Sequence, residues 1–389
     1  MLIPILAAIA IATDFEGGSL GRVEKVTETH WRLGSKGEKD QDGRNRQANW
    51  YSFRAHGLRP GQQLLFDIVD LPGEYNYKPN RGAITKDTPP VVSADGKTWR
   101  RLDTFEYDPA EPRLRLHVKA EGPSVHIAHV VPYTNEHLAT LRRRLASSGV
   151  FSEEKIGKTV QGRDLVLWTL GPKKAAKTIW LMFRQHSWEA GSSWTGEGAL
   201  LELAANAALR SDVTWKVFPL CDPDGVARGG VRFNAHGFDL NRNWDVHDPA
   251  KMPEITAQRN AIRRWLDAGN RIDLFYSLHN TETGEYLEGP PQGAQHHSAL
   301  AERLFALLTK ESTFHPSRPL FYADTTTTAG MKGRMTVIQG LWHEFRIPGF
   351  LMEQRIAHNE RLGRLPMPED RLKFGAELVR AMWKAVTAR

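Results

Sequence analysis

His186 and Glu189 stand three residues apart, just beyond the apolar run 178–183. An imidazole nitrogen and a carboxylate oxygen so spaced on a tight turn can reach one ion, and both suit zinc at about 2.0–2.2 Å. Alone, the pair fits equally well a surface histidine beside a glutamate at a helix N-terminus, where the helix dipole favours the acid. A second apolar run, 272–278, is followed at once by His279. Two histidines and one glutamate leave a fourth zinc position for water, the arrangement of a catalytic rather than a structural metal. A third region follows the apolar run 213–220. It reads Asp222-Pro223-Asp224-Gly225, then Gly230-Val231-Arg232, then Gly237-Phe238-Asp239-Leu240-Asn241-Arg242-Asn243-Trp244. Its arginines, Arg232 and Arg242, offer planar forks that match a carboxylate through two hydrogen bonds, and a peptide C-terminus is such a target. Solvated arginines on a surface loop are the other reading of that region.

These groups converge only if a scaffold brings three strand ends together. Open α/β sheets do so, placing ligand-binding groups beyond the carboxyl ends of their strands. From about residue 151 the sequence alternates strands and helices, which predicts an α/β fold with a mixed, mostly parallel sheet flanked by helices. Strands are expected at 178–183, 213–220, 272–278 and 349–352, and helices at 197–209, 257–268, 298–308 and 370–386. Ahead of this, residues 15–133 alternate with a period near two in short runs such as 63–69 and 114–118, separated by turns such as Leu71-Pro72-Gly73 and Asp95-Gly96-Lys97. Evenly punctuated short strands predict an all-β sandwich. Residues 35–47 read as an exposed loop, and 135–148 as a helix with Leu138, Leu141 and Leu145 on one face. The expected organisation is a leader over 1–13, a β-sandwich domain over 14–134, a helical linker over 135–150 and a catalytic domain over 151–389.

The 389 residues carry a net charge of +7, with 40% hydrophobic and 25% charged residues. That composition excludes a disordered, collagenous or repeat protein. The basic balance draws acidic partners at long range, and Lys332-Gly333-Arg334 points the same way, towards acidic substrate ends. No Lys/Arg run is long enough for a nucleic-acid arm. The single cysteine, Cys221, allows no internal disulfide. Residues 1–12 are apolar and end in Ala10-Ile11-Ala12, like a secretory cleavage site, though no Lys or Arg precedes them. A periplasmic or secreted protein is expected if this leader is a signal peptide, and a cytoplasmic one otherwise. No segment is expected to insert stably in a membrane.

Taken in order, His-x-x-Glu, Pro-Asp-Gly, Gly-x-Asp-Leu-Asn-Arg-x-Trp, strand-His and strand-Glu resemble the zinc metallocarboxypeptidase family. Phe15-Glu16-Gly17-Gly18-Ser19-Leu20 and His129-Val130-Val131-Pro132-Tyr133-Thr134 are similar to the N-domain pattern of its cytosolic carboxypeptidase branch and bacterial relatives. The resemblance implies one Zn2+ per chain held by His186, Glu189 and His279. It implies Arg232 as the group polarising the scissile carbonyl, Asn241 and Arg242 as the grip on the terminal carboxylate, and Glu353 as general base. The substrate implied is a peptide or protein C-terminus. Three departures stand out. Cys221-Asp222 replaces the usual Asn before Pro-Asp-Gly. Asn280-Thr281-Glu282 follows His279 where the branch usually has Gly-His. The family's substrate-clamping tyrosine has only Tyr286 and Tyr322 as candidates. Peptidoglycan stem peptides or γ-glutamyl bonds are the alternative substrates, and a non-catalytic binding protein is the reading from another class.

Overall fold

A computed structural model describes residues 8–291, 295–325, 327 and 330–388. The chain divides into two compact units, one of residues 1–134 with 225–232, the other of 135–224 with 233–389.

The first unit is the anticipated sandwich. One sheet runs in the order Ala10–Ala12, Ser52–His56, Ser124–Ala128, Val91–Ser93, Arg100–Arg101; the other runs Phe105–Asp108, Arg113–Lys119, Gln63–Val69, His30–Gly34, Val23–Lys25. Strict alternation builds the core. Leu114, Leu116 and Val118 point inward while Arg113, Arg115 and His117 do not. Phe53 and Phe66 meet between the sheets with ring centroids 5.3 Å apart. The leader expectation meets a fact here: Ala10–Ala12 is an edge strand paired with 54–56, and Ile9 and Ile11 pack on this core. Residues 1–7 lie outside the described residues. The loop 35–47 is less exposed than its composition suggests. Glu38 and Gln47 pair as a β-bridge, and Ser35, Asn45 and Gln47 are buried. Glu38 also anchors the distant segment 225–232. Its carboxylate accepts from the Arg232 backbone N–H at 2.6 Å, the Val231 N–H at 2.9 Å and the Arg228 guanidinium at 2.7 Å.

Elements of the second unit are numbered in chain order. Its strands are β1 (Phe151–Lys158), β2 (Asp164–Leu170), β3 (Lys177–Phe183), β4 (Val213–Phe218), β5 (Leu274–Thr281), β6 (Tyr286–Gly289), β7 (Phe321–Tyr322) and β8 (Gly349–Arg355). Its longer helices are α1 (Asn135–Ala146), α2 (Ala190–Ala205), α3 (Pro253–Asp267), α4 (Gln295–Glu311), α5 (Val337–Phe345) and α6 (Pro368–Thr387). The strands form one sheet in the order β1-β2-β4-β3-β5-β8-β6-β7. Its middle, β4-β3-β5-β8, is parallel; β1 and β2 pair antiparallel with their neighbours, and β6 is antiparallel to β8 but parallel to β7.

Alternation along the central strands sorts side chains onto two faces. Leu274, Tyr276, Leu278, Phe350 and Met352 enter a core covered by α1, α2, α4 and α6. Phe275 and Leu351 enter the opposite core, with α3, α5, Leu240 and Trp244. His279 and Glu353 share the parity of Phe275 and Leu351. The helix expected as a linker is α1, whose Leu141 and Leu145 belong to the first of these cores. α2 starts at Ala190, seven residues before the expected 197. Its small residues give weak helical propensity but let it pack closely on α6: a Cβ at Gly198 or Gly375 would clash with the facing backbone. Among the described residues no helix is long and apolar enough to cross a membrane.

Candidate metal centre

His186 and Glu189 sit on the turn between β3 and α2. Arg184 opens that turn with a φ of 60°, an uncommon left-handed conformation for a residue with a side chain. Its buried guanidinium fixes the turn from within, donating to the Ser187 carbonyl at 3.0 and 2.6 Å and to the Ser193 hydroxyl at 3.1 Å. Glu189 is the last residue before α2, so its carboxylate lies at the helix N-terminus. His279 comes from the neighbouring parallel strand. The expected strand ended at 278, but β5 continues to Thr281, so His279 lies within the ladder and is set by its register.

The three side chains are buried and offer ligand atoms within 4.8 Å of one another. His186 Nδ1 lies 2.7 Å from one Glu189 oxygen and His279 Nδ1 lies 3.0 Å from the other. Burial alone would raise the Glu189 pKa, but the two imidazoles outweigh it and hold the carboxylate below its ordinary range. Tetrahedral zinc with bonds of about 2.1 Å needs ligand atoms about 3.4 Å apart. The spacing, the donor set and the ionised glutamate therefore fit zinc.

Both imidazoles are oriented by their other nitrogen. His186 Nε2 meets Asp239 at 3.0 Å; His279 Nε2 meets Gln185 Oε1 at 3.0 Å and the Ser277 hydroxyl at 3.0 Å. Gln185 is held in turn by donating to the Leu240 carbonyl at 2.6 Å. Such outer partners fix the tautomer and aim the ligating nitrogen at the metal. Asp239, Gln185 and Ser277 received no role from the sequence. The only signal available was a carboxylate, Asp239, inside an already conspicuous motif.

Glu353 is the register partner of His279 across β5 and β8, and of Tyr286 across β8 and β6. Register partners share a face on strands about 4.8 Å apart, so Glu353 stands beside the metal residues. Asn241 is buried, and its side-chain oxygen accepts from the Val337 N–H at 3.0 Å at the start of α5. Arg242 follows it, with one guanidinium nitrogen donating to the Asn241 carbonyl at 2.7 Å. Arg232 belongs to the first unit, where its guanidinium lies over the Tyr75 ring, 5.4 Å from the centroid.

A family model described as zinc carboxypeptidase matches residues 139–286, and one described as the cytosolic carboxypeptidase N-terminal domain matches 11–130. The chain carries a domain of the zinc carboxypeptidase family. Its cofactor is zinc, and His186, Glu189 and His279 are the donor set that can hold it. The chain is 25% identical to mouse cytosolic carboxypeptidase 6 over 296 residues, covering 69% of this chain and 52% of that protein. It is 26% identical to the cytosolic carboxypeptidase 6 of Caenorhabditis elegans over 284 residues, covering 68% and 60%. It thus spans little more than half the length of these relatives. The metallo-carboxypeptidase of Burkholderia cenocepacia shares its fold, with a TM-score of 0.83 at 22% identity over 97% of this chain and 99% of that one.

Proposed function

We propose that this carboxypeptidase releases the C-terminal residue of peptides, with Glu353 as general base and Asn241 and Arg242 holding the terminal carboxylate. The observation that supports this most is the gathering of His186, Glu189 and His279 on one point with Glu353 in register beside His279. When bound, zinc supplies Lewis acidity and lowers the pKa of water towards ~7. Glu353 takes the proton of the attacking water on a carboxylate oxygen and delivers it to the departing amine nitrogen. Arg232 donates to the oxygen that gains charge in the transition state. Gripping the terminal carboxylate fixes which bond meets the water and limits cleavage to the last residue.

Glu353→Gln is the decisive variant. It should bind about one zinc per chain by elemental analysis and lose roughly 10²- to 10⁴-fold in kcat, the usual contribution of a general base. A fully active variant would remove Glu353 from the mechanism. Chelation should abolish hydrolysis and lower the melting temperature, since the metal binds the folded chain and not the unfolded one. An unchanged melting temperature would argue against a metal held by three buried side chains.

A further inference from the structure

Segment 225–232 ends on Arg232 and is fastened to the first unit at three points. The Gly17 N–H, inside the motif 15–20, donates to the Ala227 carbonyl at 3.2 Å. The Glu38 carboxylate binds the Arg228 guanidinium and the backbone amides of Val231 and Arg232. The third point is the Tyr75 ring, which the Arg232 guanidinium overlies at 5.4 Å. Tyr75 is 36% exposed and ends the short strand Gly73–Tyr75, which pairs with Lys78–Asn80 in a hairpin. The hairpin is braced by the loop before it. The Glu74 N–H donates to the Arg46 carbonyl at 2.9 Å. The Glu74 carboxylate accepts from the Arg44 guanidinium at 3.1 Å and from the Asn45 N–H at 3.1 Å, and Asn45 Oδ1 accepts from the Tyr77 N–H at 2.6 Å. The same loop supplies Glu38. One stretch of chain therefore fixes both the backbone of Arg232 and the ring that faces its guanidinium.

We propose that Tyr75 and Glu38 are positioning residues for Arg232, and that the sandwich unit serves catalysis by holding this one side chain ready. The inference rests on the reading of Arg232 as the donor to the oxygen that gains charge in the transition state. An unrestrained arginine loses much rotamer freedom when it makes a directed contact. Anchored amides and a ring face remove part of that freedom beforehand, which is what preorganised charge stabilisation requires. A ring suits this task better than a carboxylate. It attracts the cation to its face yet leaves the positive charge in place. The N–H donors lie in the guanidinium plane and point out through its edge, so contact with a ring face does not consume them. A carboxylate there would pair with those donors and cancel the charge that the reaction needs.

The test uses the zinc-loaded full chain and N-blocked dipeptides ending in Leu, Lys or Glu, with kcat and KM measured on whichever is cleaved best. Arg232→Gln should lose about 10²- to 10³-fold in kcat, the cost of one oxyanion donor. Tyr75→Leu should lose about two- to fivefold in kcat, the scale of an exposed cation–π contact, with KM little changed. Tyr75→Phe keeps the ring and should recover that loss. The Arg232→Gln background separates positioning from stability, because there Tyr75→Leu should cost nothing further in kcat. Glu38→Gln weakens a charge-assisted anchor on the two amides and should show the same pattern, a fall in kcat that vanishes beside Arg232→Gln. An equal fall in both backgrounds, no fall in Tyr75→Leu, or a fall that Tyr75→Phe shares overturns the positioning role and leaves the peptidase reading intact. An undiminished Arg232→Gln overturns the reading of Arg232 itself, and a wild type that cleaves none of the dipeptides overturns the proposed function; the positioning role falls with either.

Discussion

Each imidazole of the metal centre is aimed by the partner on its far nitrogen, and those partners carry a testable share of the metal affinity. Asp239→Ala leaves all three ligands in place but frees His186 to turn. Zinc affinity, measured by competition with a chromogenic chelator, should fall about 10- to 100-fold. Unchanged affinity would make the 3.0 Å contact incidental. At this scale the candidate donors His186, Glu189 and His279 stood out because His-x-x-Glu and strand-His occur together in one order with the motifs between them, although each alone is ambiguous. Asp239 and Gln185 did not, because these outer partners are defined by tertiary proximity across 53 and 94 residues; Ser277 is local, two residues before His279 on the same strand, but a serine there carries no mark of its own.

Elements with strong apolar runs were legible, while polar edge elements were not. β3 and β5 are buried over most of their length and stand out as apolar stretches. β1, with mostly polar, exposed residues, gives no such signal and exists by pairing with β2. α5 was missed although Thr336 and Gln339 form a capping box at its start, a pattern readable from sequence. Two expectations follow at this scale. Gly375→Ala should destabilise the protein well beyond the effect of a surface change, because the new methyl group meets the backbone of α2; the shift in urea midpoint measures it. A chain beginning at Thr13 lacks the edge strand Ala10–Ala12 and the partly buried Ile9 and Ile11. Its melting temperature should drop by several degrees, as for loss of one or two kcal/mol of apolar burial. No drop would mean that the strand adds nothing to the sandwich.

For the molecule as a whole, buried acids set the response to pH. Burial lifts Glu285 from 4.5 to about 7, only partly countered by the His315 N–H and by Arg371, Arg355 and Arg361. The folded state therefore holds a proton that the unfolded chain has released above about pH 4.5. Its contribution to stability is full below that value and is lost as pH rises towards about 7. Glu285→Gln should flatten this fall in melting temperature between the two pH values, and a parallel profile in wild type and variant would refute the assignment. The two-part plan was legible from the change in periodicity near residue 151. The return of residues 225–232 to the first unit was not, because no local pattern marks a segment whose partner, Glu38, lies about 190 residues earlier.

That return has a consequence for biosynthesis. Glu38 leaves the ribosome long before the backbone amides of Val231 and Arg232 that it will bind. Chains emerge at roughly 5–20 residues per second, so the sandwich waits on the order of ten seconds or more for its last segment, and a nascent chain arrested short of residue 232 should be more open to protease than one arrested well beyond it.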